Sequence, residues 1–294
     1  MKLSKFNFIV TSVLGVAILS YLVAAFRIRG EAGGMHKSVL PMYWADRMAG
    51  RDLFDPVEQV WYKGNRQVNE VALTIDDGPH PLSCASLLKT LKEKKVIATF
   101  FVVGKQVDGN PDLVRMMVQD GHEIGNHTYD HIRLDGISRD KVYDQISFCD
   151  KAVANAAGRN MVLFRPPGMR YNDNVLNVAG QLSKIMVHWT IGAKDFVGTT
   201  PDYELTPELK KLPPITPDLI VEYVTKQLKP GAIILLHDNP ITAEAMPRII
   251  DEVRKRGYEF RSCKDMLRNL PNPVYITPNQ PCGSGLQDPT SSTQ

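Results

Sequence analysis

The sequence is poor in cysteine. Its four cysteines, Cys84, Cys149, Cys263 and Cys282, include no C-x-x-C pair, which argues against a zinc–thiolate site. It also lacks a strong charge imbalance. The net charge is +3, with no dense basic patch carrying interleaved aromatics, so nucleic acid is not an expected partner. There is no internal repeat, and nothing calls for an obligate protein partner. What remains is an ordinary globular composition, 43% hydrophobic and 23% charged.

The N-terminus departs from that average. Residues 1–7 carry Lys2 and Lys5 and read as a cytoplasmic N-terminus; residues 8–26 are uncharged and mostly apolar, and Arg27 and Arg29 follow. That length suits a membrane-spanning helix. A cleaved signal peptide is the competing reading, but Ala24-Ala25-Phe26-Arg27 is a poor cleavage site. Either reading exports the rest of the chain, and export makes disulfides possible without ranking the pairings. Free buried thiols are the alternative for Cys84 and Cys149. Residues 27–68 read as a juxtamembrane extension whose Tyr43, Trp44, Trp61 and Tyr62 suggest packing onto the domain that follows.

That domain is expected over 69–270. Apolar strand patterns at 71–75, 97–103, 122–125, 162–164, 185–189, 232–236 and 258–261 alternate with helical patterns at 83–94, 110–119, 138–157, 173–182, 216–229, 243–256 and 264–269. Such alternation predicts a parallel α/β architecture and leaves open a barrel or a doubly wound sheet. Asn110-Pro111 reads as an N-cap with proline at the first helical position. The proline-rich stretch 198–217 is too long for a mere connection. Residues 271–294 read as a disordered tail.

The chain is organised around Thr74-Ile75-Asp76-Asp77-Gly78-Pro79, two adjacent carboxylates where a buried strand ends in a turn. Other polar groups also follow strands: His127 and His131, Arg165-Pro166-Pro167-Gly168, Trp189 and Asp195, and His237-Asp238. Polar groups at the C-terminal ends of several strands are what a catalytic mouth needs. His127 and His131, spaced i, i+4, can hold one ion with Asp77 as third ligand. An ion there lowers the pKa of its water, and Asp76 is then placed to act as a base. Arg165 is suited to hold Asp76 charged. The N–H of Gly168, after two prolines, is a candidate oxyanion donor. His237 is a candidate general acid, with Asp195 as partner and Asp238 as either the alternative partner or a helix N-cap.

In order, Thr-Ile-Asp-Asp-Gly-Pro, His-Thr-Tyr-Asp-His, Arg-Pro-Pro-Gly, a Trp/Asp region and Leu-Leu-His resemble the motifs of the polysaccharide deacetylases with a NodB homology domain, carbohydrate esterase family 4. The resemblance covers about residues 70 to 262. It implies an α/β fold, a distorted (β/α) barrel usually of seven strands, preceded here by the N-terminal membrane-spanning helix. It implies one divalent metal ion, zinc first and cobalt or manganese as alternatives, held by Asp77, His127 and His131. It makes Asp76 the base, His237 the acid, Asp195 its tuning partner and Arg165 the holder of the base. Leu235 and an aromatic of the fifth-strand region, Trp189 or Phe196, would enclose the acetyl methyl. Three departures stand out: Gly168 replaces a tyrosine of some members, Phe196 a frequent tryptophan, and Gly192 a frequent acidic residue.

The implied activity is hydrolysis of the N-acetyl group of N-acetylglucosamine in a cell-wall polysaccharide, with peptidoglycan favoured, by an exported and membrane-anchored enzyme. Chitin-like oligomers, exopolysaccharide and O-acetylated xylan are the alternative substrates. A catalytically inactive glycan-binding domain is the alternative of another class; no missing ligand, base or acid favours it.

Overall fold

The computed structural model describes residues 53–198, 205–271 and 274. The strands are β1 (Phe54–Asp55), β2 (Val60–Trp61), β3 (Glu70–Asp76), β4 (Thr99–Val102), β5 (Glu123–Asn126), β6 (Leu163–Phe164), β7 (Ile185–Val187), β8 (Ile191–Gly192), β9 (Ala232–His237) and β10 (Glu259–Arg261). The helices are α1 (Cys84–Glu93), α2 (Gly104–Gly109), α3 (Pro111–Gln119), α4 (Arg139–Ala157), α5 (Asp173–Gln181), α6 (Pro207–Lys210), α7 (Pro217–Lys226), α8 (Pro240–Lys255) and α9 (Cys263–Arg268).

Among the described residues the strands make one sheet in the order β1-β2-β7-β6-β5-β4-β3-β9-β8. Strand β10 joins β3 at Glu70–Ala72, below the stretch Thr74–Asp76 that pairs with β4. Every pairing is parallel except β1 with β2. The result is an α/β half-barrel whose ladder path ends at β1 and β8, rather than a barrel of seven strands. Of the expected run 185–189 only Ile185–Val187 is strand, β7; the unexpected β8 follows at Ile191–Gly192 and pairs with β9 instead of β6. Strands β1 and β2 come from the expected juxtamembrane extension, and Trp61 is fully buried. No described helix is long and apolar enough to cross a membrane; the expected span 8–26 lies outside the described residues.

The central strand shows why the sheet has two faces. Val71, Leu73 and Ile75 pack in the cluster that holds Leu87, Leu88 and Leu91 of α1 and Ile249, Ile250 and Val253 of α8. Ala72 belongs to the opposite cluster, with Trp61, Phe101, Val187 and Ile233. Side chains alternate along a strand, so Thr74 and Asp76 share the inner face of Ala72. All seven residues of β3 are buried, as expected for a parallel strand covered on both sides. Each large apolar side chain so buried contributes about 1.5–3 kcal/mol.

Helix ends follow local chemistry. Ser138 accepts from Lys141 N and opens α4, which Gly158 closes at φ 63. Asn239 accepts from Thr242 N, and Pro240 occupies the first turn of α8, so this helix begins earlier than the expected 243. At α3 the expected boundary is observed but not the cap: the Asn110 amide donates to Gln106 O and Pro79 O instead. Of the expected loop 198–217, residues 207–210 form the single turn α6, and 199–204 lie outside the described residues. Of the expected tail 271–294, Val274 is buried and its N–H donates to Leu267 O, while 275–294 lie outside the described residues. Cys84, Cys149 and Cys263 are free and buried; burial pushes each thiol up.

Candidate active site

The site lies at the C-terminal ends of β3, β5, β6, β7 and β9. Asp76 ends β3 on its inner face, 3% exposed, and the fully buried Arg165 follows β6. Arg165 Nη1 donates to Asp76 Oδ1 at 2.7 Å and to Thr74 Oγ1 at 2.9 Å. Its Nε donates to Val187 O at 3.0 Å and its Nη2 to His188 O at 3.3 Å. The Phe101 ring lies 4.2 Å from Arg165 Cζ, a favourable cation–π geometry. Gly125 leaves room for that ring, since a Cβ there would come within 2.5 Å of it. Arg165 is thus held from every side and presents one charge-assisted bond to Asp76.

Asp77 leaves the strand with φ 73. Its Oδ1 lies 3.3 Å from His127 Nε2 and 3.1 Å from His131 Nε2. His131 also has positive φ, 57, and its N–H donates to Thr128 Oγ1 at 3.1 Å. The Nδ1 of His127 lies 2.6 Å from Arg165 O, so the ring donates there and keeps an acceptor at Nε2. Burial alone would raise the Asp77 carboxyl, but the imidazoles of His127 and His131 outweigh it and hold the carboxyl well below the usual range. Burial opposes a charge on His131, yet Asp77 pushes its pKa up.

These three groups fit a single divalent cation. Their candidate ligand atoms lie within 4.8 Å of one another. Asp77 Oδ1 is buried and has no hydrogen-bond partner, which is costly for a carboxylate unless a cation completes it. One carboxylate and two imidazoles leave coordination positions open, the donor set of a catalytic rather than a structural site.

Across the mouth, His237 ends β9. Its Nδ1 lies 2.9 Å from Asp195 Oδ1, and its backbone N–H donates to Asp195 Oδ2 at 2.6 Å. Asp195 is fully buried and also accepts from Thr242 Oγ1 at 2.6 Å. Burial would lower the His237 pKa, but the Asp195 carboxylate, helped by Asp77 and Asp76, pushes it up to about 9. Asp238 fills neither of its expected roles. It accepts from His80 N at 2.9 Å and Ser83 Oγ at 2.6 Å, tying down the turn after β3, while Asn239 caps α8.

Three of the remaining candidates stand beside these groups. Phe196 stands edge-on to His237 with centroids 5.3 Å apart. The Trp189 ring lies 5.7 Å from Arg165 Cζ. Leu235 is buried, pairs in register with Gly192 and shares the face of His237 two residues on. Gly168 is exposed in its turn with φ 60.

Sequence reading missed the residues that hold these in place. Thr74 had a visible signal, a hydroxyl inside an apolar run. Asn126 had less: its Nδ2 donates to Ile146 O at 2.8 Å and Asp150 Oδ1 at 2.9 Å, while its Oδ1 accepts from Thr128 N at 2.9 Å. The buried Lys184 pairs with Asp150 Oδ2 at 2.6 Å. Nothing in the local sequence links these residues.

The family model for polysaccharide deacetylase matches residues 63–186. A peptidoglycan-N-acetylglucosamine deacetylase of Bacillus cereus is 32% identical over 226 residues, covering 74% of this chain and 97% of that protein. A chitooligosaccharide deacetylase of Sinorhizobium fredii is 33% identical over 207 residues, covering 65% and 89%. A family 4 pseudoenzyme from Bacillus anthracis superposes with a TM-score of 0.62 at 27% identity, over 72% of this chain and 69% of that one. A mutant of that pseudoenzyme with restored enzymatic activity gives 0.63 at 28% identity, over 72% of each chain. With its motifs at the strand ends and relatives matched over most of their length, the chain belongs to the polysaccharide deacetylases of carbohydrate esterase family 4, hydrolases acting on carbon–nitrogen bonds other than peptide bonds.

Proposed function

We propose that the protein removes the N-acetyl group from N-acetylglucosamine residues of peptidoglycan, releasing acetate. One observation carries this reading: an arginine-held carboxylate, Asp76, and a carboxylate-held imidazole, His237, flank the Asp77, His127 and His131 cluster. The similarity to a peptidoglycan deacetylase favours that polymer. Similarity to a chitooligosaccharide deacetylase supports chitin-like oligomers as the second substrate.

Asp77, His127 and His131 would hold one divalent ion, zinc first, which polarises the acetyl carbonyl and acidifies water. Asp76 takes the proton of the attacking water, and Arg165 keeps it oriented. The Gly168 N–H donates to the oxygen that gains charge as the carbonyl becomes tetrahedral. His237 gives its Nε2 proton to the leaving amine, while Asp195 fixes the ring through Nδ1. Leu235, Trp189 and Phe196 enclose the methyl. Residues 8–26 anchor the chain in the membrane, with the catalytic domain on the outer side.

The resemblance to a pseudoenzyme supports a second reading, a glycan-binding domain without turnover. Purified protein incubated with peptidoglycan fragments decides between them. Acetate release that a chelator abolishes and zinc restores is expected. Binding without acetate release, at any metal loading, would establish the second reading.

A further inference from the structure

The two histidines of the cluster are held in different ways. His127 is buried, and Arg165 O orients its ring through Nδ1. A ligating imidazole is ordinarily fixed like this, by a bond from its second ring nitrogen. Among the described residues His131 has no such bond, and its side chain is 45% exposed. Outside the cluster it is held by its backbone N–H, which donates to Thr128 Oγ1 at 3.1 Å. The position of His131 is therefore set by the backbone. That backbone is strained, with φ 70 at Thr128 and 57 at His131. Non-glycine residues keep such conformations only where their surroundings over-determine them.

Here the surroundings are α2 and α4. The N–H groups of Gly104 and Lys105 donate to Thr128 O and Tyr129 O, each at 3.0 Å. A Cβ at Gly104 would come within 2.3 Å of the Tyr129 ring, so only glycine lets the helix approach the loop this closely. The next residue, Asp130, is gripped from α4. Its N–H donates to Gln145 Oε1 at 2.9 Å, and Gln145 Nε2 donates to Asp130 Oδ2 at 2.7 Å. Gln145 is buried. The Lys105 ammonium also pairs with Asp130 Oδ1 but is 65% exposed, and exposed pairs contribute little. Gln145 thus holds both the backbone and the side chain of the residue immediately before His131. We propose that Gln145 is a positioning residue for the metal centre: through Asp130 it sets the turn that brings His131 to Asp77 and His127. Asn126 holds the same loop at its His127 end; Gln145 holds the other. This inference rests on the reading of Asp77, His127 and His131 as ligands of one divalent ion.

Gln145→Met keeps the length of the side chain and removes both bonds. Competition for zinc with a chelating dye is expected to show about tenfold weaker binding, within the range for outer hydrogen bonds of metal ligands. In the metal-free protein the His131 amide is expected to exchange with solvent about tenfold faster, because its bond to Thr128 opens more often. Gln145→Glu sets a second carboxylate against that of Asp130 and should weaken zinc binding as well. Adding Asp130→Asn gives that carboxylate an amide donor and should restore zinc affinity to within about threefold of wild type. A role in stability alone would not produce this rescue. Unchanged zinc affinity in folded Gln145→Met overturns the proposal, and so does unchanged exchange of the His131 amide. If Gln145→Met does not fold, Gln145→Glu with and without Asp130→Asn decides: a loss that the second change does not repair overturns the proposal. Wild type that binds no zinc sinks the ligand reading itself; exchange of the His131 amide, read without metal, still decides whether Gln145 sets the turn.

Discussion

Arg165 binds His127 and Asp76 with different parts of itself. Its carbonyl lies 2.6 Å from His127 Nδ1, and its guanidinium donates to Asp76 Oδ1 at 2.7 Å. The backbone orients a candidate ligand and the side chain holds the candidate base. Substitution therefore separates the two. Arg165→Met should lower kcat about 100-fold or more while metal binding stays within about threefold, since the carbonyl remains. It should also cost about 3–5 kcal/mol of stability, because Asp76 is left buried and unpaired. Kinetics, metal titration and denaturant unfolding check the three parts.

Asp76→Asn should lower turnover about 100- to 10,000-fold, the range of general base catalysis. The Asp77, His127 and His131 cluster is untouched, so bound metal measured by elemental analysis should be unchanged. Full activity in this variant would remove Asp76 from the mechanism.

His237 acts as an acid and must be protonated. Its pKa, raised to about 9 by Asp195 with help from Asp77 and Asp76 in the metal-free protein, predicts that activity falls as pH rises through the pKa of His237, at a somewhat lower pH once a cation sits on Asp77. Asp195→Asn removes the first group that raises the pKa, so the falling limb should move to lower pH, towards the ordinary value of about 6.5. The same shift bears on stability. The folded-state pKa is raised, so the stabilising effect of protonated His237 is complete below about pH 6.5 and is lost as pH rises through about 9. Histidine NMR titration of the chelated protein reads the pKa directly.

The path from Lys184 through Asp150 and Asn126 to Thr128 ends on the loop that carries both histidines. Asp150→Asn weakens the pairing of buried Lys184 and the hold on Asn126. Outer hydrogen bonds of this kind are worth about 10- to 100-fold in metal affinity. Competition with a chelating dye should show a loss of that order while circular dichroism stays native.

What was legible in the sequence was what strands and local spacing carry. Asp76, Asp77, His127, His131 and Arg165 stand at the ends of apolar runs, so their convergence follows from a parallel sheet. Strands β1, β2 and β8 are two residues each, too short to show a period. The division of labour between Asp76 and Asp77 was legible from the histidine pair, but the backbone turn that accompanies it was not, because the positive φ of Asp77 has no sequence mark in a non-glycine residue. Asp238 was misread because its partners, His80 and Ser83, lie more than 150 residues away. The grip of Thr242 on Asp195 was invisible for the same reason: loop and helix meet only in the folded chain.

Asp77 and His131 both sit at positive φ, with side chains 38% and 45% exposed, and neither belongs to a hydrophobic cluster. Such conformations cost about 1–3 kcal/mol each. Replacing either residue with glycine would relax the backbone while removing a candidate ligand. In this chain, therefore, the two candidate ligands are placed at a cost to the backbone and are not needed to fill the core.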